Sequence, residues 1–181
     1  SGNGDGDILF FRNTGTVNSP VFAAAVFNPF GLTDVSYSAS PSFVDIDNDG
    51  DLDAFVGEFT GSIFFSRNIG TTSNPVFAAA TINPFGLIDV GDFVSPVFVD
   101  IDNDGDLDAF VGGYQGNTLF FRNTGTASNP VFATASTNPF GLTDVGIAAS
   151  PSFVDIDGDG DLDALIGNSV GNTLFFRNNG T

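Results

Sequence analysis

The chain repeats itself every 55 residues, and that period constrains its fold more than any other feature. Val44–Gly57 (VDIDNDGDLDAFVG) recurs unchanged at Val99–Gly112 and returns as VDIDGDGDLDALIG at Val154–Gly167. Arg-Asn recurs at 12, 67, 122 and 177, and Asn-Pro-Phe-Gly-Leu begins at 28, 83 and 138. No insertion or deletion interrupts the comparison. A fixed period of this kind marks a repeat architecture, in which each unit buries its apolar faces against its neighbours.

Within one unit the Phe/Val/Ile-rich runs, punctuated by Gly, Asn, Asp and Pro, predict four short strands: Ser42–Ile46, Leu52–Glu58, Ser62–Asn68 and Val76–Ala80. A turn near Gly61 joins the second to the third, and a Gly70–Asn74 loop joins the third to the fourth. No long 3.6-residue apolar stripe survives the frequent Gly and Asp. Segments such as Ala54–Val56 and Leu119–Phe121 are apolar on both faces, whereas a sheet with one wet face would alternate. The predicted class is therefore all-β, with four-stranded antiparallel blades of a β-propeller. A β-solenoid is the alternative, but 55 residues is long for one coil. The blades divide the chain into 1–40 (third and fourth strands plus a connection), 41–95, 96–150 and 151–181 (first to third strands). The connection Val26–Ser40 carries Asn28-Pro29-Phe30-Gly31-Leu32, a turn with two apolar anchors that reads as a clip between blades. The ends are expected to expose the third strands Ile8–Asn13 and Leu174–Asn178, which suits a stretch of a longer array or one member of an assembly. The opening on Ser1 likewise suggests a mature fragment or excerpt.

The chemistry lies in D-x-D-x-D-G-x-x-D. The candidate metal ligands are Asp45, Asp47, Asp49, Asp51 and Asp53; Asp100, Asp102, Asp104, Asp106 and Asp108; and Asp155, Asp157, Asp159, Asp161 and Asp163. Calcium takes six to eight hard oxygens. Alternate residues of a tight loop converge on one point, so positions 1, 3 and 5 supply carboxylates. Glycine at position 6 permits the sharp turn. Position 7 (Asp51, Asp106, Asp161) is expected to offer its carbonyl with its side chain to solvent, and position 9 closes the shell. An EF-hand is excluded, because position 12 is Val56, Val111 or Ile166 rather than Glu. A plain solvated turn is disfavoured: unit charges at ~4 Å repel by roughly 4 kcal/mol at an effective dielectric near 20. Magnesium prefers a stricter octahedral shell with waters. Three calcium ions per chain are expected.

The units resemble FG-GAP/VCBS repeats, the calcium-binding blades of integrin alpha subunits and of many large bacterial surface proteins. The resemblance rests on FVDIDNDGDLDAFVG, the LFFRNTGT strand and the Asn-Pro-Val-Phe strand, and it covers essentially the whole chain. It implies a β-propeller, calcium at each loop, and an extracellular or bacterial cell-surface role in adhesion or scaffolding.

Composition excludes much else. There is no His, Cys or Lys, so no Ser-His or Cys-His nucleophile and no imidazole or thiolate metal site can exist. The net charge of −18 leaves no basic patch for nucleic acid. No apolar run approaches the roughly 20 residues of a membrane helix, so no membrane insertion is expected. The aspartates keep metal-loop spacing rather than forming a glycosidase pair, and no enzyme is expected. The one arginine per unit reads as a structural ion pair or a backbone-bonding residue within the blade rather than as a ligand clamp. Tyr37 and Tyr114 could stack on a sugar, but no repeated aromatic argues for a multivalent lectin. The sequon Asn179-Gly180-Thr181 carries little weight. Two readings follow: a calcium-rigidified scaffold, stalk or fibre component whose partners are neighbouring copies of the repeat, or an adhesive module binding a glycan or protein ligand.

Overall fold

A computed structural model describes residues 1–180; Thr181, and with it the end of the sequon, lies outside the described residues. All regular structure is β apart from two single 3-10 turns, Pro29–Gly31 and Pro84–Gly86. No helix among the described residues is long and apolar enough to cross a membrane. The strands form antiparallel sheets in chain order. A two-stranded sheet pairs β1 (Leu9–Phe10) with β2 (Val26–Phe27). Two four-stranded sheets follow: β3 (Ser40–Val44), β4 (Asp53–Gly57), β5 (Ile63–Ser66) and β6 (Thr81–Ile82), then β7 (Ser95–Val99), β8 (Asp108–Gly112), β9 (Thr118–Phe121) and β10 (Ser136–Thr137). The last sheet has three: β11 (Ser150–Val154), β12 (Asp163–Gly167) and β13 (Thr173–Phe176). At the first sheet Leu9 also donates its N–H to Ser1 O (2.7 Å) and Gly2 bridges Ile8, so Ser1 and Gly2 stand as the stub of a second strand beyond the two strands expected there.

The second strand of each complete unit is the centre. All five residues of β4 and of β8 are buried, as both-face apolarity predicts. Phe55 and Phe110 are fully buried. Phe55 packs on Phe65 of its own sheet (ring centroids 4.7 Å) and on Phe98 of the next (4.2 Å); Phe110 repeats this on Phe120 (4.8 Å) and Phe153 (4.3 Å). Gly57 and Gly112 end these strands because the next unit's backbone passes there. A Cβ on Gly57 would lie 2.2 Å from Val94 O, and one on Gly112 2.1 Å from Ala149 O. The first strands β3, β7 and β11 are sheet edges, so Pro41, Pro96 and Pro151 cost no ladder hydrogen bond. Ser40, Ser95 and Ser150 bring their hydroxyls into a row, at 3.4 and 3.5 Å.

The Asn-Pro-Phe-Gly-Leu clip is built from backbone chemistry. Asn28, Asn83 and Asn138 take left-handed φ of 44°, 49° and 47°, which asparagine tolerates. Each side-chain Oδ1 accepts from a third-strand N–H, Ile8, Ile63 or Thr118, at 2.8 Å. Leu32, Leu87 and Leu142 are buried. The Phe30 and Phe85 carbonyls accept from Phe77 and Phe132 N–H of the following unit at 2.8 Å, which staples adjacent sheets together.

The fourth strand is not where sequence placed it. Instead of Val76–Ala80, β6 is Thr81–Ile82, and Phe77 makes only an isolated bridge to Asn68. Phe65 pairs with Thr81 but Asn68 with Phe77, so Ser66 and Arg67 face Ala78, Ala79 and Ala80. That is a β-bulge, and the extra residue breaks the ladder across the expected strand. The same offset recurs between Phe120–Ser136 and Asn123–Phe132. The first strands end earlier than expected, at Val44 rather than Ile46, because Asp45 already belongs to the loop.

Phe110→Ala should destabilise the chain by ~3–5 kcal/mol, the cost of a cavity at a fully buried ring. Phe175→Ala, on the exposed face of β13, should cost no more than about 1 kcal/mol. Urea titration followed by circular dichroism compares the two; equal losses would contradict the packing order.

Candidate metal centre

The aspartate loops 45–52, 100–107 and 155–162 join first to second strands and gather at one end of the sheets. The third-to-fourth-strand hairpins lie at that same end, while the 58–62 turns and the long connections lie at the other. Each loop makes two left-handed steps. Position 4 is Asn48 (φ 56°), Asn103 (57°) or Gly158 (77°), and position 6 is Gly50 (94°), Gly105 (92°) or Gly160 (97°). Asn and Gly are the residues that enter this region at least cost, which explains why the third unit can exchange one for the other.

Position 1 holds the loop closed. Asp45 Oδ1 accepts from Asp49 N–H (3.1 Å) and its Oδ2 from Gly50 N–H (3.0 Å); Asp100 does the same for Asp104 and Gly105, and Asp155 for Asp159 and Gly160. Position 5 accepts from the N–H of position 7, as Asp49 does from Asp51 at 3.2 Å. Three carboxylates thereby converge in every unit: Asp45, Asp47 and Asp49; Asp100, Asp102 and Asp104; Asp155, Asp157 and Asp159 each bring an oxygen within 4.8 Å of the others.

Asp53, Asp108 and Asp163 open the second strands and are buried. One oxygen of each accepts from the N–H of Asn68 (2.7 Å), Asn123 (2.6 Å) or Asn178 (2.8 Å). The other, Oδ2, is closed off from solvent with no hydrogen-bond partner, as is Asp47 Oδ1. At position 7 the side chains of Asp51 and Asp106 are half-buried, and the Oδ1 atom of each is closed off from solvent without a partner.

A shut-in carboxylate oxygen without a donor is costly in its charged form. Burial accordingly pushes Asp53 and Asp108 up to about 6, with Asp47 and Asp49, or Asp102, Asp104 and Asp106, adding like-charge repulsion against the lowering effect of the Asn N–H. Asp51 and Asp106 are also raised, first by desolvation and then by the neighbouring aspartates. A hard cation relieves both causes at once, by supplying charge and by filling the vacant lone pairs. The donor set is all-oxygen, with no imidazole or thiolate, and it fits calcium.

The partner of the fixed arginine was not legible in sequence. Arg67 reaches Asp47 and, at 3.5 Å, Asp49; Arg122 reaches Asp102 (2.5 Å) and Asp104 (3.6 Å); Arg177 reaches Asp157 and, at 3.5 Å, Asp159. The signal available was the constant spacing of Arg from the aspartate segment. The residue after it matters equally: Asn68 Oδ1 accepts from Gly70 and Val76 N–H, pinning the hairpin beside the loop. Arg12, which pairs with no carboxylate among the described residues, lies 5.8 Å from the Phe10 ring centroid.

Two outcomes follow. Asp47→Ala should weaken calcium binding by ~10-fold or more (~1.4 kcal/mol) and by more than Asp51→Ala, whose carbonyl remains; calorimetric titration measures both, and equal losses would reverse these roles. In chelator, the folded state holds the Asp53 and Asp108 protons more tightly than the unfolded chain does. Their contribution to stability is therefore fully present below the ordinary carboxyl value of 3.8 and is lost as pH rises through about 6, where the folded carboxyls ionise. Calcium affinity should rise over the same interval, since the ligands must lose their protons. Thermal melts across that range, repeated on the Asp53→Asn/Asp108→Asn variant, should show the slope flattened.

A family model of the FG-GAP-like repeat matches residues 45–111 and again 100–166, so that the two matches together span more than half of the chain, and each begins at one aspartate loop and runs through the next. No curated protein matches the chain significantly. On the repeated loop, the antiparallel sheets and this match, the chain belongs to the FG-GAP-like repeat family.

Proposed function

We propose that this chain is a calcium-binding extracellular structural module in which three ions, one per aspartate loop, stiffen a row of propeller blades. The observation that carries this reading is the set of buried carboxylate oxygens left without donors beside each convergent triad. Five carboxylates in nine residues balance against one arginine, which leaves every loop strongly anionic. A divalent ion joining the loop to the start of the second strand would tie an exposed segment to the buried core. Millimolar calcium outside cells suits sites of this kind.

The same reading makes the module a scaffold rather than an enzyme. The family's known role is structural and adhesive, and the aspartates are committed to the loops. Its partners would be neighbouring copies of the repeat, which would extend the row. A surface or secreted location follows from the calcium dependence.

Calcium should raise the melting temperature. A ligand binding only the folded state stabilises by ~2.7 kcal/mol per site at 100-fold excess over its Kd. Calorimetry should count three ions, and chelator should lower the melt by many degrees. An unchanged melt in chelator, or a count of zero at millimolar calcium, would defeat the proposal.

A further inference from the structure

The two ends of the sheets differ in how faithfully they repeat. Phe43–Gly57 is identical to Phe98–Gly112, through the aspartate loop and the buried second strand. At the opposite end the turns read EFTGS (58–62), GYQGN (113–117) and NSVGN (168–172), with NGDGD (3–7) before them, and share only their glycine. The first position of this turn has a structural task in three of the four units. Asn3 Oδ1 accepts from Asp5 N–H (3.1 Å) and Asp7 N–H (2.8 Å). Glu58 accepts from Thr60 N–H (2.8 Å) and Ser62 N–H (3.1 Å). Asn168 Oδ1 accepts from Val170 N–H (3.2 Å) and Asn172 N–H (3.0 Å). In the remaining unit the position is Gly113, which has no acceptor, and the corresponding Gln115 and Asn117 N–H groups have no partner among the described residues.

The vacancy opens into a cleft of about 350 Å³. Val90 and Leu119 supply apolar lining, and Asp92, Tyr114, Gln115 and Asn117 supply polar groups around it. Tyr114 is 44% exposed, and its ring stacks on Phe93 at 5.6 Å, so one wall is a supported aromatic plane. Tyr114 N–H donates to Asp92 O (2.7 Å), and Ala148 N–H to Tyr114 O (2.8 Å), which fixes that wall between the neighbouring connections. An apolar and aromatic hollow with a few fixed polar groups, in this size range, has the make-up of a small-ligand site.

We propose that this cleft binds a neutral acetamido sugar. In two other units a single amide oxygen, that of Asn3 or Asn168, satisfies both turn N–H groups; the acetamido carbonyl oxygen of the ligand takes that place in the unit of Gly113. The sugar ring lies on Tyr114, and the Asp92 carboxylate and Gln115 amide meet its hydroxyls. A net charge of −18 disfavours anionic sugars. The site stands at the end of the sheets away from the aspartate loops, so it goes beyond the calcium reading and does not rest on it.

The test is titration of the ¹⁵N-labelled chain, in saturating calcium, with N-acetylglucosamine and separately with glucose, which has the ring but no acetamido group. N-acetylglucosamine should shift the Gln115 and Asn117 amides in a saturable way, with a Kd of order 1 mM, and glucose should bind at least ~10-fold more weakly. Gly113→Asn restores the acceptor that other units carry. Gly113 is not in the left-handed region, and a Cβ there meets Val90 O at 3.7 Å, an ordinary contact, so this variant folds. It should weaken sugar binding ~10-fold or more while the melting temperature holds or rises. Tyr114→Ala should also weaken binding. Absence of amide shifts in a well-dispersed spectrum would overturn the proposal. So would equal binding of glucose, or a Gly113→Asn chain that binds as the parent does.

Discussion

Face-to-face burial of the second strands underlies everything else in this molecule. Phe55 and Phe110 are each closed between their own sheet and the next, and neither sheet could hide its apolar faces alone. Approach close enough to bury these rings forces the neighbouring backbone against Gly57 and Gly112, where no side chain fits. It also sets where the clips must reach, since Phe30 and Phe85 bond to the following unit only at that spacing. The stacking of sheets is thus fixed by apolar area and made regular by backbone hydrogen bonds.

Onto this frame each unit grafts a charge problem. The loop begins where the first strand runs out and ends at Asp53, Asp108 or Asp163, whose burial the second strand dictates. One carboxylate of every loop is therefore carried into the core's edge while its fellows remain half in water. Hydrogen bonds from the loop's own amides and from Asn68 or its equivalents satisfy some of those oxygens, and the arginine after the third strand neutralises part of the rest. The guanidinium touches one oxygen each of positions 3 and 5, while Asp47 Oδ1 and Asp53 Oδ2 stay without donors. A tethered cation covers the loop from outside, and a small divalent ion suits the inside. The bulge opposite Ser66 and Arg67 interrupts the ladder beside this arginine, as bulges next to sites commonly do.

The opposite end of the sheets obeys a different rule. Its turns share only a glycine, and three of the four add one acceptor for two amides, a task in which Asn and Glu serve equally well. A requirement that loose leaves the remaining positions free to vary, and there Tyr37, Phe59, Phe93 and Tyr114 stand partly exposed. Stability and variability are separated along the strand direction, with metal-type loops at one end and individual side chains at the other.

The sequence by itself determined the repeat unit, the all-β class, the both-face burial of the second strands and the aspartates of each loop, because these are recorded as composition and local spacing. Glycine at position 6 was legible too, since left-handed backbone favours such a residue, whereas the left-handed asparagine of the clip came from the structure. What only the tertiary structure decided depends on contacts between segments far apart in the chain. The bulge that displaced the fourth strand arises from how Ser66–Arg67 meets Ala78–Ala80, and no local pattern records a mismatch between two strands. The burial of Asp51 Oδ1, the pairing of Arg67 with Asp47, and the raised carboxyls of Asp53 and Asp108 all come from the loop closing over the end of a packed sheet. The meaning of Gly113 emerged the same way. In the sequence it is one more glycine; in the fold it is a missing acceptor beside two unpaired amides, because the turn brings the Gln115 and Asn117 N–H groups to the place where other units keep an oxygen.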